Sequence, residues 1–401
     1  MPKRVGFLYD KGTDKDFIRK CIKVGLQCKT KDKQGVGPVK KNPEWYADKV
    51  WRTMVTRSYR PTKPREKVII DKSSCKIRTI STQPFNTDGI YQTIAVEILK
   101  PILIKSLHHW SCGSIKGRGG KRMLSYTKRI IQNHPKNSKY VAELDIKQFY
   151  PSIPLKRLIA AYERRIKDQK FLIFLAILIT SSPISLAEAL REKLTPYDIV
   201  GDKVGTNIGS VLSVWNGNFY LEPVDRLILS LDGISYEARY SDNIVITSRN
   251  KKKLHKAIKM VNTFLQNKLG LVLKENWQVF CIEPKRAASQ KSKKGIRRVS
   301  VVGYRIGRND TILRQRNFLR IARQSRRIQK KLKSHSGIPP SMARSFLSRV
   351  GLLKHSDSQY TMKNYIKPAK VKLLKQIISK DDRRKKEDNH GNYQRRNKST
   401  D

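Results

Sequence analysis

Two aspartates next to apolar runs are the residues of this chain best placed to do chemistry. Asp145 closes the β-rich run Tyr140–Asp145, and Asp242 lies at the tip of the hairpin pattern 238–247. Turn residues between two apolar arms predict a β-hairpin, so the two acids can converge although they are far apart in sequence. Paired carboxylates suit a divalent metal pair, which phosphoryl transfer to a nucleotide needs. Taken singly, each aspartate also fits an ordinary strand-end or turn role.

The elements around these residues indicate a mixture of helices and strands. A strand pair is predicted at Lys67–Asp71 and Cys75–Ser81, and helical periodicity marks Gly89–Leu107 and Leu155–Ile179. The longest apolar run, Phe171–Ile179, is about half of the ~18 residues that a membrane-spanning helix needs. It therefore predicts a buried helix.

The charge of the chain points to a polyanionic partner. Its 401 residues contain 86 Lys and Arg against 32 Asp and Glu, a formal net charge of +54, and are 38% hydrophobic. That apolar content is enough for a core, whereas the unbalanced charge is costly without an anionic partner, of which nucleic acid is the first choice. A polybasic membrane-surface protein is the alternative, but the sequence shows neither an amphipathic anchor nor a lipidation motif.

The cysteines and the amino terminus indicate the cellular compartment in which we expect the protein. The five cysteines are scattered without C-x-x-C spacing, which argues against zinc and against a disulfide framework. The terminus, 1–7, has no apolar signal-peptide region. We expect a cytoplasmic protein in a reducing environment.

Several further segments, in order, resemble the motifs of reverse transcriptases. The two aspartate segments resemble motifs A and C, and the latter is usually Tyr-x-Asp-Asp in that family. The other matching segments are 76–80 (fingers strand), 114–121 (the Gly-rich stretch before motif A), 204–221 (motif B, as Ile-Gly-x-x-x-Ser), 268–280 (motif D) and 301–306 (motif E). The resemblance covers roughly residues 60–370. It is closest to bacterial enzymes of diversity-generating retroelements and to defence-associated relatives of the retron and group II intron kind.

The resemblance implies an α+β right-hand polymerase fold. The predicted parts are an N-terminal extension (1–60), fingers and a ferredoxin-like palm with an antiparallel sheet (61–300), motif E with an α-helical thumb (301–379), and a disordered basic tail (380–401). No integrase, RNase H or endonuclease pattern is present in the sequence.

The resemblance also implies a metal site. Asp145, Ile146 and Asp242 are the predicted ligands of two Mg²⁺ ions, for which Mn²⁺ is a possible substitute, because Mg²⁺ takes hard oxygen ligands. Asn243 completes the predicted catalytic set, but it stands where most of the family has a second aspartate. An amide keeps an oxygen ligand and loses a full charge.

Six residues form the predicted nucleotide-binding set. Tyr150 matches the steric-gate position, which implies a preference for deoxynucleotides, although a half-buried strand tyrosine is the plainer interpretation. The others are two fingers cations on one face of a strand, two motif B residues and a lysine that is a candidate general acid: Lys76, Arg78, Gly209, Ser213 and Lys274. Ile208 and Val214 replace the glutamines that family members carry next to Gly209 and Ser213, which changes the expected base contacts.

Exposed cations are predicted to bind the nucleic-acid backbone. They lie in the Gly-rich stretch and on the Arg-rich helix near residues 316–333, where few acids accompany them: Arg118, Lys121, Arg320, Arg323, Arg327 and Lys330. Such a helix suits phosphate contacts without sequence readout. The loop 285–298 adds a second basic cluster.

The function predicted from the sequence is RNA-directed DNA synthesis in a bacterial retroelement or anti-phage defence system. The expected partners are an RNA template (a structured non-coding RNA is one option), a DNA or RNA primer, deoxynucleotides, the cDNA product and an accessory protein, with no membrane. Two alternatives stay open: an RNA-dependent RNA polymerase, and a catalytically inactive RNA-binding scaffold, because motif C reads Tyr-Ser-Asp-Asn.

Overall fold

The computed structural model describes residues 4–27, 29, 34–71, 76–282, 296–334, 337–366 and 368–397. The chain divides into two compact units. One comprises Met1–Arg122 and Ala142–Val279, and the other Met123–Val141 and Phe280–Asp401. The domain boundaries predicted from the sequence stay predictions.

The first unit begins with helices, followed by a strand pair and a long helix. Its elements up to residue 122 are α1 (Leu8–Lys11), α2 (Lys15–Gln27), α3 (Val36–Lys41), α4 (Pro43–Val55), β1 (Arg65–Asp71), β2 (Lys76–Thr82), α5 (Ile90–Ser106) and β3 (Ser111–Cys112). β1 and β2 pair antiparallel, with Ile69 opposite Arg78. The strand pair and the helix over α5 agree with the sequence prediction.

The chain then crosses the second unit in α6 (Gly120–Asn133) and β4 (Tyr140–Asp145) and returns to the first. The elements that follow are α7 (Leu155–Glu163), α8 (Gln169–Thr180), α9 (Leu186–Arg191), α10 (Pro196–Val200), α11 (Val211–Tyr220), α12 (Glu222–Ser230), β5 (Ile234–Tyr240), β6 (Asn243–Ser248), α13 (Lys251–Phe264) and β7 (Gln278–Ile282). Phe171–Ile179 is buried along its whole length in α8, as expected for a helix that is apolar all round. The described residues contain no helix that is long and apolar enough to cross a membrane.

Strands β3, β5, β6, β4 and β7 are neighbours in this order in one sheet, which ends with β8 (Ile296–Arg297). β5 and β6 are an antiparallel hairpin with Tyr240 opposite Asn243, so Ser241 and Asp242 alone form the turn. Ser241 has a positive φ of 56°, a conformation that two-residue hairpin turns need. Residues 244–248 of β6 are buried, because the strand lies between β5 and β4. The hairpin predicted from the sequence is therefore present in the fold, and its tip carries Asp242.

The second unit contains a small antiparallel sheet and the C-terminal helices. Its remaining elements are β8 (Ile296–Arg297), β9 (Val299–Val301), β10 (Tyr304–Ile306), β11 (Thr311–Leu313), α14 (Gln315–Lys333), α15 (Pro340–Val350), α16 (Gln359–Tyr365) and α17 (Pro368–Asn397). The sheet order is β11-β10-β9. The fold is therefore α+β, with a palm-type antiparallel sheet followed by a helical C-terminal region, as the sequence predicted.

The C-terminal segment is helical in the described residues. Helix α17 continues to Asn397, 398–401 lie outside the described residues, and the predicted disorder of 380–401 stays a prediction. Arg344 of α15 contacts Asp381 and Asp382, both at 2.6 Å, which attaches the first turn of this segment. Lys, Arg, Glu and Gln are also good helix formers. The lack of apolar residues removes a packing face and leaves helix propensity in place.

Candidate active site

Asp145 and Asp242 lie at the same end of two neighbouring strands. Asp145 ends β4, and Asp242 immediately precedes β6, which is next to β4 in the sheet. Burial raises the pKa of Asp242, and the negative charge of Asp145 raises it further. The two carboxylates are therefore close enough to repel each other, and the structure brings together the pair that the sequence singled out.

The oxygen atoms around this pair fit a hard divalent cation. Asp145 Oδ1 is buried without a hydrogen-bond partner, and Oδ2 pairs with the ammonium group of Lys274. Ile146 forms an antiparallel bridge with Leu273, flanked by the bonds from Lys147 N to Val272 O and from Lys274 N to Asp145 O (2.8 Å each). In such a bridge the central residue directs its own C=O away from the partner strand. The site thus offers two carboxylates and a main-chain oxygen, a donor set that Mg²⁺ accepts. Among the described residues, no group of three or more acidic, His or Cys side chains could hold a metal.

Two cations face the carboxylates. Lys274 and Arg78 both lower the pKa of Asp242, although burial and Asp145 outweigh them. Arg78 is exposed on β2, where a guanidinium suits bidentate phosphate contacts. Lys76 belongs to the same strand, and its side chain lies outside the described part of the chain.

Asn243 directs its amide nitrogen towards the carboxylate of Asp242. Nδ2 donates to Asp242 Oδ1 at 3.2 Å, and the side chain is exposed at the start of β6. In this arrangement the amide restrains the neighbouring carboxylate. A role of Asn243 as a direct metal ligand stays a prediction.

Tyr150 lies beside the hairpin tip. Its hydroxyl is 3.2 Å from Ser241 Oγ, and burial raises its pKa. A Cβ on Gly217 of α11 would come within 2.9 Å of the ring. The tyrosine is therefore packed between α11 and the tip, close to the carboxylates.

The motif B loop is attached on both sides. Thr206 N donates to Tyr150 O (3.0 Å), and Ser81 N of β2 donates to Ile208 O (2.8 Å). Gly209 has φ +116°, and a Cβ there would lie 2.9 Å from Ser81 O. The glycine is required for this close approach. By contrast, Ser213 is only 5% exposed within α11, so direct contact with a nucleotide stays a prediction.

The predicted nucleic-acid-binding cations fall into two groups. In the first unit, Arg118 donates to His108 O (3.1 Å), and Lys121 is exposed at the start of α6. In the second unit, α14 buries Ile321 and Ile328, and its cations lie on the other faces: Arg320 is half-buried, and Arg323, Arg327 and Lys330 are exposed. The basic loop 285–298 lies, up to residue 295, outside the described residues.

A buried ion pair below the tip was not identified from the sequence. Arg239 is fully buried and donates to both carboxylate oxygens of Asp225 (2.6 and 2.7 Å), to Asn218 Oδ1 (3.2 Å) and to Ser241 O (3.0 Å). Asp225 also accepts from the Ser111 hydroxyl at 2.5 Å. The guanidinium therefore attaches the residue before Asp242 to α11 and α12. The available signal was a glutamate and an arginine two positions apart, Glu237 and Arg239, which therefore lie on the same face of the strand.

The fold and this site define a palm-type polymerase domain, and comparisons with known proteins identify the family. The family model described as reverse transcriptase (RNA-dependent DNA polymerase) matches residues 70–306. The chain therefore belongs to the reverse transcriptase family. This confirms the family predicted from the motifs, while the narrower bacterial group stays a prediction.

Individual relatives are distant. An uncharacterized 91 kDa protein in a cob intron of Schizosaccharomyces pombe is 28% identical over 186 residues, which is 46% of this chain and 21% of that protein. The chain thus spans about a fifth of the length of this relative. Telomerase from Candida albicans, solved with a fragment of telomeric RNA, is 10% identical with a TM-score of 0.42, covering 78% of this chain and 56% of that one. Apo telomerase from Candida tropicalis is 14% identical with a TM-score of 0.41, covering 63% and 48%.

Proposed function

We propose that the chain synthesises cDNA on an RNA template by metal-dependent nucleotidyl transfer. The observation that carries the proposal is that the carboxylates of Asp145 and Asp242 lie close together. One oxygen of this pair, Asp145 Oδ1, is buried and has no hydrogen-bond partner. These carboxylates and the Ile146 carbonyl would hold two Mg²⁺ ions. When bound, such ions stabilise the attacking and leaving oxygens of the displacement.

The other residues of the site bind and orient the substrates. Arg78 supplies a guanidinium for the triphosphate. Lys274 is paired with Asp145 through its ammonium group, and a cation bound at the carboxylates would compete for that contact. Lys274 would then be available to protonate the pyrophosphate. Tyr150 borders the site and, as a steric gate, would exclude a ribose 2′-hydroxyl.

Replacing either metal-site acid tests the proposal. Asp242→Ala and Asp145→Ala should abolish primer extension with Mg²⁺ or Mn²⁺ and leave RNA affinity within a few-fold. Asp202→Ala is the matched control, because its side chain is 96% exposed and pairs with Lys156 at the surface. Wild-type extension by the Asp242 variant would show that the palm assignment of this residue is wrong.

Sugar preference separates this proposal from RNA-directed RNA synthesis. The position of Tyr150, next to the hairpin tip, supports deoxynucleotide use. Tyr150→Ala should relax discrimination against ribonucleotides while retaining part of the deoxynucleotide activity. Equal use of both sugars by the wild-type protein would favour the RNA polymerase. An inactive scaffold would bind RNA and extend no primer with either metal.

The setting that we propose is a bacterial retroelement or an anti-phage defence system. It is supported by the ordered motif set. Sequencing the RNA and cDNA that copurify with the protein, together with the genes next to its own, tests this setting. Neighbouring genes that belong to an organelle genome would contradict it.

A further inference from the structure

The first unit contains a large groove that none of the predicted site residues lines. It has a volume of about 1310 Å³ and lies between α7 with its following turn, the α11–α12 junction and residues 267–269. Seven arginines and lysines line it, against two glutamates. The cations come from four separate chain segments, so the fold assembles them.

Both glutamates of the groove are already engaged within the protein. Glu163 accepts a hydrogen bond from the Tyr197 hydroxyl at 2.5 Å. Glu222 is buried, pairs with Arg226 and lies 3.7 Å from Arg165. The two glutamates therefore bind a hydroxyl and arginines of the protein itself. The groove presents a net positive charge to a ligand.

The floor of the groove is apolar but offers no stacking surface. Phe219 is 4% exposed and stacks on Tyr162 with ring centroids 4.7 Å apart, and Tyr220 is 1% exposed. Bases bind proteins without sequence preference mainly by stacking on accessible aromatic rings, and these rings are covered. An occupant would therefore be held by its anionic groups.

The groove lies on the opposite side of α11 from the nucleotide site. Gly217 faces Tyr150, whereas Phe219, two residues later, is turned by about 200° at 3.6 residues per turn and lines the groove. A ligand bound in this groove would leave the surroundings of Tyr150 accessible.

We propose that this surface, the α7–α12 groove, binds the phosphate backbone of an RNA strand outside the template–primer site. Arginine forks suit phosphate oxygens, and positive charge spread along a groove suits a strand better than a single anion. The choice of RNA as the polyanion rests on the proposed function. The binding is independent of base sequence, because the groove has no exposed ring and contacts phosphates.

Two charge-matched triple variants test the proposal. Arg157→Ala/Arg164→Ala/Lys167→Ala removes three exposed cations of the groove, and Lys252→Ala/Lys256→Ala/Lys259→Ala removes three exposed cations of α13. The probe is polyuridine RNA, which lacks stable secondary structure, titrated against salt. Three lost phosphate contacts should make the log–log salt slope shallower by about 2, at roughly 0.7 per contact for a single strand. Equal effects of the two variants would overturn the proposal.

Lysine footprinting on the wild-type protein gives a test that does not depend on variants. Polyuridine should protect Lys167 and Lys268 from acetylation and leave Lys252 reactive. Unchanged reactivity of the groove lysines overturns the proposal. Protection by polyglutamate but not by polyuridine also overturns it, because the groove would then be a site for an acidic protein.

Primer extension on a short hairpin template, which leaves no single strand to reach the groove, separates this inference from the proposed function. The groove variant should extend it like wild type. Absence of extension by the wild-type protein would count against the polymerase assignment. The polyuridine salt slopes and the lysine footprints would still test whether the α7–α12 groove binds RNA.

Discussion

The buried arginine below the hairpin tip makes a specific prediction about how the site is positioned. Arg239→Met removes the five hydrogen bonds that its guanidinium donates to Asp225, Asn218 and Ser241. It also leaves the Asp225 carboxylate uncompensated in the interior. Breaking one side of a buried pair costs about 3–5 kcal/mol, compared with a total stability of about 5–15 kcal/mol for a typical protein. The variant should therefore be strongly destabilised in urea unfolding.

A double variant separates stability from positioning. Arg239→Met/Asp225→Leu removes both charges, and replacing a buried pair by hydrophobic residues of similar volume is often close to neutral for folding. The Ser241 carbonyl, however, still lacks its donor at 3.0 Å. Displacing a reacting group by about 1 Å can cost about 100-fold in rate, so extension should stay low although stability recovers.

Arg239→Lys completes the series. It keeps the charge, but a lysine cannot reproduce the planar fork that reaches Asp225, Asn218 and Ser241 together. We expect intermediate stability and an increased Mg²⁺ requirement for extension. A stable double variant with wild-type extension and wild-type Mg²⁺ dependence would refute the positioning role, and the ion pair would then be purely structural.

Three further predictions follow from single residues. Gly209→Ala should lower extension strongly, because the added Cβ would meet Ser81 O at 2.9 Å in a backbone conformation that disfavours side chains; Gly201→Ala, which has open space around it and also a positive φ, is the control for backbone strain alone. Asn243→Asp should lower the Mg²⁺ concentration for half-maximal extension, since it adds a negative charge beside the metal site, and an unchanged Mg²⁺ titration would mean that the residue acts only by restraining its neighbour. Burial raises the pKa of Glu237 from 4.5 to about 7; between these values the folded state keeps a proton that the unfolded state has lost, so stability should fall as pH rises from about 4.5 to 7. Glu237→Gln should flatten that part of the urea-unfolding profile.

The elements that sequence periodicity marks strongly were predictable, and so was the convergence of the two acids. α8 is apolar on every face and α5 nearly so, and the β5–β6 arms flank turn residues, so local pattern and fold agree at these places. The position of Asp242 at a tip beside the end of β4 followed from motif order. Its polar supports did not follow, because the contacts of Arg239 come from residues more than ten positions away in α11 and α12. Contacts between residues so far apart in sequence produce no periodic pattern in the sequence.

Three acidic residues of this basic chain lie in its interior. Asp225, Glu237 and Glu222 are buried in the first unit, where Asp225 and Glu222 pair with arginines and Glu237 lies 3.2 Å from His108. Buried pairs are screened little by salt, whereas exposed charges are screened strongly beyond the Debye length of about 8 Å at physiological ionic strength. The buried pair of Asp225 with Arg239 and the exposed cations therefore respond differently to salt. Raising ionic strength would weaken the cation–phosphate contacts that we propose and leave the pair that positions the hairpin tip in place.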